Sequence, residues 1–287
     1  MANTIDLRRR IKSAQNISKT TRAMQMIAAS KLKKAQHAVL TSRPYVEKLI
    51  TVAQNLSPKE KTTEQHPYLG KIEKTNKTLY IVIASDKGLC GGLITNLIRE
   101  YIKIRKIEEN SVFITIGKKV EAQVATSKKL LASFPFGTVL PSFAMVEPLV
   151  RIINEQYLKG DIDQVKILAT HFTNVFTQMP QITDLLPVVL TETKEEQATM
   201  HDFLFEPSKI ELLPTLLKRY IEMVIYQQLL EAYASFNAAQ MLAMQNATNN
   251  AKDIVNELQL LYNKARQEKI TKEILDISSA AIALAEE

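Results

Sequence analysis

Past Pro214 the chain has neither glycine nor proline, and Cys90 is its one cysteine. A single thiol excludes an intramolecular disulfide and suits a reducing compartment. The missing breakers say more: residues 215–287, rich in Leu, Ala, Met, Gln, Lys and Glu, are expected to form one continuous helix on the order of 100 Å long. Histidine is scarce too, and His37, His66, His171 and His201 show no metal-ligand spacing, so no metal is expected. No apolar run approaches the ~20 residues of a membrane span, and no signal-peptide apolar segment opens the chain. It therefore reads as mature cytosolic sequence without direct membrane insertion.

What is present is unevenly distributed. All seven glycines lie between Gly70 and Gly160 and all ten prolines between Pro44 and Pro214, so the ends are expected to be helical and the middle globular. Residues 1–40 carry nine Lys/Arg against Asp6 alone, whereas residues 215–287 carry seven against nine Asp/Glu. The formal charge of +7 is thus a property of the N-terminal arm. Such an arm can meet nucleic acid, an anionic membrane surface or an acidic protein, and a solvated helix face with an acidic protein partner is the first reading.

Steps of four and three along the C-terminal run pick out Leu216, Tyr220, Met223, Gln227, Leu230, Ala234, Asn237, Met241, Met244, Thr248, Ala251, Val255, Leu258, Tyr262 and Ala265. Twelve of these fifteen are apolar, the pattern of a coiled-coil seam. Beyond Ala265 the register lands on Lys269, Lys272 and Asp276, and a second apolar stripe in another phase takes over: Ile270, Ile274, Ile277, Ala281, Leu284. The seam should end near Arg266 and Gln267. Near the N-terminus, Ala14, Ile17, Thr21, Met24, Ala28, Leu32, Ala35 and Val39 form a matching stripe with one stutter, ahead of a break at Pro44 and a resumed helix from Tyr45 to Leu56. The two helices are expected to pair antiparallel.

The middle alternates strand and helix signals. Strands are expected at 78–84, 111–116, 165–171 and 185–190, with helices at 93–106, 118–131 and 147–158. Alternation of this kind gives βα units on a largely parallel sheet. The fold class is α/β: a long antiparallel coiled coil of N- and C-terminal helices plus a central Rossmann-like domain. Its parts are a helix over 1–56, a linker over 57–77, the α/β domain over 78–207 and the long helix over 208–287.

The loop Ser85-Asp86-Lys87-Gly88-Leu89-Cys90-Gly91-Gly92-Leu93 follows a strand and opens a helix, the setting of a phosphate cradle. Its spacing matches neither G-x-G-x-x-G nor G-x-x-x-x-G-K-[ST], and a tight turn is the better reading. No cofactor is expected. The pairs Glu108-Glu109, Glu195-Glu196 and Glu286-Glu287 read as solvated, and no residues are set out as a catalytic constellation.

Four stretches together resemble the gamma subunit, the central stalk of the F-type rotary ATP synthases, in its bacterial form. They are Ile11–Lys34 with Ser42-Arg43-Pro44-Tyr45, Ser85–Leu93, Asn246–Ala251 and Leu258–Ile274. The resemblance implies a rotor shaft that couples ion flow through a membrane ring to ATP synthesis or hydrolysis in an alpha-beta hexamer, with catalysis in those partners. It also implies an epsilon partner, contact with the c-ring, no nucleic acid, and a place on the cytoplasmic face of the inner membrane. Position by position, it assigns Arg266 and Gln267, with Thr271, to a grip on a beta-subunit loop, and Met24 and Lys87 to the lever region. Asp202, Phe205 and Glu206 resemble the foot on the ring and beside epsilon, and Ile274, Ile277, Ala281 and Leu284 the tip in its apolar bearing. The alternatives from composition and motif alone are a nucleotide-binding α/β enzyme and a basic coiled-coil scaffold for nucleic acid.

Overall fold

The computed structural model describes residues 4–56, 67–70, 75–108, 110–188, 206 and 208–285, with backbone alone for 54–56, 209–210 and 280–285. Helix α1 spans Thr4–Leu56 and helix α5 Lys209–Ala285. Between them lie β1 (Thr78–Ile83), α2 (Leu93–Ile107), β2 (Ser111–Ile116), α3 (Lys118–Ala125), β3 (Leu130–Phe134), a 3-10 turn (Phe143–Met145), α4 (Val146–Leu158), β4 (Gln164–Phe172) and β5 (Gln178–Leu186). Contacts divide the chain into two compact units, residues 1–28 with 241–287 and residues 29–240.

In the second unit the sheet order is β3-β2-β1-β4-β5, parallel except for β5, which pairs antiparallel with β4. Successive β1 residues point to opposite faces, yet Leu79 to Ile83 are all buried, so both faces are covered, as a mainly parallel sheet requires. One face packs Tyr80 and Val82 with Phe113 and Leu168 against Leu97, Tyr101 and Ile104 of α2 and Val120 and Val124 of α3. Phe113 stacks on Tyr80 at 5.8 Å and meets the edge of Tyr101 at 5.0 Å. α5 adds a further layer: Ser235 Oγ donates to the Thr170 carbonyl of β4 at 3.1 Å, and Phe136 and Phe143 pack on Tyr233 and Tyr226.

The fifteen seam positions expected on α5 are all buried or half-buried. On α1 the buried stripe is more regular than expected. Leu7, Ile11, Ala14, Ser18, Thr21, Gln25, Ala28, Leu32, Ala35, Val39, Ser42, Val46, Leu49 and Ala53 follow one another in unbroken steps of three and four, each buried or half-buried. Ile17 instead stands 53% exposed. The apparent stutter came from choosing apolar residues where small and polar ones, Ser18 and Gln25, occupy the seam.

Three other expectations change. Pro44 does not interrupt α1, although it leaves the Leu40 carbonyl without its helical donor. Buried residues on both sides of it, Val39 and Leu49, keep the helix on course, and tertiary packing outweighs local propensity. Residues 130–134 form an edge strand rather than the end of a helix: α3 ends at Ala125, six residues early, and Lys128, in the left-handed region at φ 56°, keeps the helix from resuming. The last strand starts at Gln178, not Leu185: Pro180 is tolerated because β5 is an edge. Residues 189 and 190 lie outside the described residues.

Candidate functional site

Helix pairing sets the first site. In the first unit Thr21 and Thr248 share a hydrogen bond of 2.7 Å between their hydroxyls. In the second, Ser42 Oγ donates to Gln227 Oε1. In the first unit the pairing is antiparallel, with Thr21 level with Thr248. A neutral hydrogen bond contributes about 1 kcal/mol and a fully buried Leu or Val about 1.5–3, so apolar burial binds the helices and the polar pairs fix their register. Continued in that register, Thr4 comes level with Ala265. From Arg266 to Ser279 every α5 residue is exposed. The seam ends where the partner helix runs out.

Arg266, Gln267 and Thr271 lie on this unpaired stretch, with Gln267 and Thr271 one turn apart on one face. Ile274 and Ile277, large apolar side chains, stand 60% and 71% exposed. Ala281 and Leu284 continue the same helix, their side chains outside the described residues. Lys269 and Glu273 form an exposed pair at 3.6 Å, which at i,i+4 adds only a few tenths of a kcal/mol. Met24 is half-buried beside the α1 seam, and the basic residues Arg8, Arg9, Arg10 and Lys12 are exposed. Of the expected foot, Glu206 is exposed, while Asp202 and Phe205 lie outside the described residues.

The glycine loop forms the second candidate, at the carboxyl ends of the strands where doubly wound folds bind ligands. Its acidic residue is engaged by neighbouring segments. The Asp86 carboxylate accepts the backbone N–H of Lys118 at the start of α3 (2.9 Å), of Phe136 (3.3 Å) and of Gly137 (2.7 Å). Burial acts to raise its pKa, but the three backbone donors and the Lys118 charge outweigh it and hold the carboxyl below its ordinary value. The helix that the glycine loop opens, α2, has no side-chain cap at Gly92, whereas the N-terminus of α3 thus has its anion. Next to it, Gly117 takes φ 106° so closely against β1 that a Cβ would lie 2.1 Å from the Ala84 carbonyl oxygen. Cys90 is buried, and burial raises its thiol pKa, the opposite of an activated nucleophile. Lys87 is exposed on the same loop, with Leu89 beside it at φ 65°.

A third cluster escaped the sequence reading. Glu231 of α5, 3% exposed, accepts from Arg43 of α1, whose Nε and Nη2 both lie 3.1 Å from Oε1, and from Gln227 Nε2 at 3.0 Å. His171 of β4 meets its other oxygen through Nδ1. Arg43 Nη2 also donates to the Phe172 carbonyl at 3.0 Å. A lone acid within the apolar run 223–238 was the available signal, since a buried carboxylate requires a cation.

Among the described residues no group of three or more His, Cys, Asp or Glu is placed to hold a metal, and no helix is long and apolar enough to cross a membrane. Two long paired helices, one ending unpaired, with a doubly wound sheet define a stalk-type subunit. A family model described as ATP synthase matches residues 3–284. The ATP synthase gamma chain of Dehalococcoides mccartyi is 41% identical over 290 residues, covering 99% of this chain and all of that one. The gamma chain of Methylacidiphilum infernorum is 40% identical over 297 residues with the same coverage. The chain belongs to the ATP synthase gamma-chain family. In fold it is similar to a chain of the Euglena gracilis mitochondrial ATP synthase OSCP/F1/c-ring structure, with a TM-score of 0.68 at 18% identity over 98% of this chain and 94% of that one. It is likewise similar to one from the central stalk and c-ring of the Tetrahymena thermophila enzyme, with a TM-score of 0.60 at 23% identity over 79% and 99%.

Proposed function

We propose that the chain is the central rotor shaft of an ATP synthase, transmitting torque between an ion-driven membrane ring and an alpha-beta hexamer that performs the ATP chemistry. The observation that carries this reading, in a member of the gamma-chain family, is the end of helix pairing at Ala265 with an exposed single helix beyond it. A lone helix with exposed Ile274 and Ile277 is not stable by its own pairing, and its apolar side chains call for a surrounding partner.

The tip, Ile274 and Ile277 with Ala281 and Leu284, turns in an apolar sleeve. Apolar contacts lack direction, so they support the axle without trapping one angle, as a desolvated ion pair would. Arg266 and Gln267, with Thr271, form the polar grip on a beta-subunit loop, and Met24 and Lys87 meet the lever region. The exposed arginines of α1 suit acidic loops there. Asp202, Phe205 and Glu206 belong to the foot on the c-ring beside epsilon. The chain is peripheral, on the cytoplasmic face of a bacterial inner membrane, and has no catalytic residue of its own. The glycine loop matches neither phosphate-binding spacing, and its Asp86 carboxylate is used within the fold.

Copurification with an alpha-beta hexamer tests this reading. The full chain should enter the complex stoichiometrically, and membranes lacking it should lose ion-coupled ATP hydrolysis. A chain that does not associate with the hexamer overturns it.

A further inference from the structure

The Glu231 cluster takes part in none of the partner contacts just described, yet it draws three elements of one unit onto one carboxylate. Between Glu222 and Asp253, Glu231 is the sole acid on α5. Burying it is costly unless cations and donors surround it; Arg43 of α1 and Gln227 of α5 donate to Oε1, and the ring of His171 of β4 lies against Oε2. Three consecutive β4 residues are tied to the helices. The Thr170 carbonyl accepts from Ser235, the His171 ring meets Glu231, and the Phe172 carbonyl accepts from Arg43. Arg43 therefore bridges all three elements, with its fork shared between carboxylate and carbonyl. Ser42, its neighbour, donates to Gln227, which in turn donates to Glu231.

We infer that this cluster is the torque joint of the rotor, with Glu231 and Arg43 as positioning residues that stop the helix pair from slipping along the sheet under load. The inference rests on the rotor reading and adds to it where force passes within the subunit. Apolar side chains slide over one another with little resistance, whereas a charge-assisted contact of two guanidinium nitrogens on one buried carboxylate oxygen has a preferred angle and distance. A bearing needs the first kind of contact and a joint the second. The exposed apolar tip and this buried ionic cluster supply one each.

The test uses the whole enzyme in inverted membrane vesicles, comparing native, Glu231→Ala, Arg43→Ala, Arg43→Lys and His171→Leu chains. Three quantities are measured: gamma-chain incorporation, ATP hydrolysis in vesicles made leaky so that the rotor is unloaded, and the ion gradient sustained by hydrolysis in sealed ones. The joint predicts near-native incorporation and unloaded hydrolysis within about twofold of native. It also predicts a several-fold loss of sustained gradient in the two alanine variants, partly recovered in Arg43→Lys, which keeps the charge but not the fork. His171→Leu, at the half-exposed rim, leaves Glu231 on Arg43 and should assemble even if the alanine variants do not, with about a twofold fall in gradient. A native gradient in the assembled variants overturns the joint. So does a fall in unloaded hydrolysis that matches the fall in gradient, because that is a general folding loss. If native vesicles lacking only this chain still couple hydrolysis to a gradient, the rotor reading itself fails.

Discussion

Gly117 is the residue where the backbone leaves no choice. Its φ of 106° is strained for any side chain, and a Cβ would stand 2.1 Å from the carbonyl oxygen of Ala84, the residue after β1. Gly117→Ala should therefore cost at least about 2 kcal/mol, read as a lower urea midpoint of the full chain; an unchanged midpoint would contradict the close approach. Asp86, its neighbour in space, makes a pH-dependent prediction. A carboxyl whose folded pKa lies below its unfolded value stabilises the fold fully above that unfolded value, roughly 3.9, and the contribution disappears as pH falls through the folded value. Asp86→Ala should thus lose about 1–2 kcal/mol at pH 7, discounted for partial exposure, with a gap to native that narrows below about pH 4. A gap that is the same at pH 3 and pH 7 would show that the carboxylate charge is not what secures the loop.

At the scale of elements, α1 and α5 were legible because heptad spacing depends only on residue order, and a run without breakers leaves few alternatives. The same logic predicts that Ala251→Pro, at a buried seam position of α5, costs ~3 kcal/mol or more and lowers both helix content and assembly. Unchanged helicity would count against a continuous α5. Proline at 44 is no counterexample, since buried Val39 and Leu49 flank it and Arg43 is anchored to Glu231 and Phe172. The central strands β1, β2 and β4 also stood out, as buried apolar runs between turns. β3 and the first part of β5 did not. Both are edges, where burial reaches only alternate residues and Lys128, Pro180 or Asp184 carries no strand signal. The Glu231 cluster was hidden for another reason: its members lie 188 residues apart at Arg43 and Glu231, and only the fold brings them together. The partner contacts proposed for Arg266, Gln267 and Thr271 rest on family resemblance alone, because an exposed side chain whose partner is another protein leaves no periodic trace in its own sequence.

For the whole molecule, function resides in surfaces that the chain leaves uncovered. Arg266→Ala combined with Gln267→Ala should weaken coupling or assembly several-fold and leave the urea midpoint of the full chain within about 0.5 kcal/mol of native, since both residues are exposed and outside the seam. A large stability loss would mean that this stretch has a structural role instead. The central claim, that the chain turns inside its partners, is tested most directly by watching it turn. Phe176, 82% exposed at the β4–β5 hairpin, can be replaced by cysteine and labelled while the native thiol at Cys90 stays buried. In a complex fixed to a surface through its alpha-beta hexamer, a probe on that cysteine should rotate in one direction when ATP is added and stop when ATP is removed. A complex that hydrolyses ATP at full rate while the probe stays still would contradict the account.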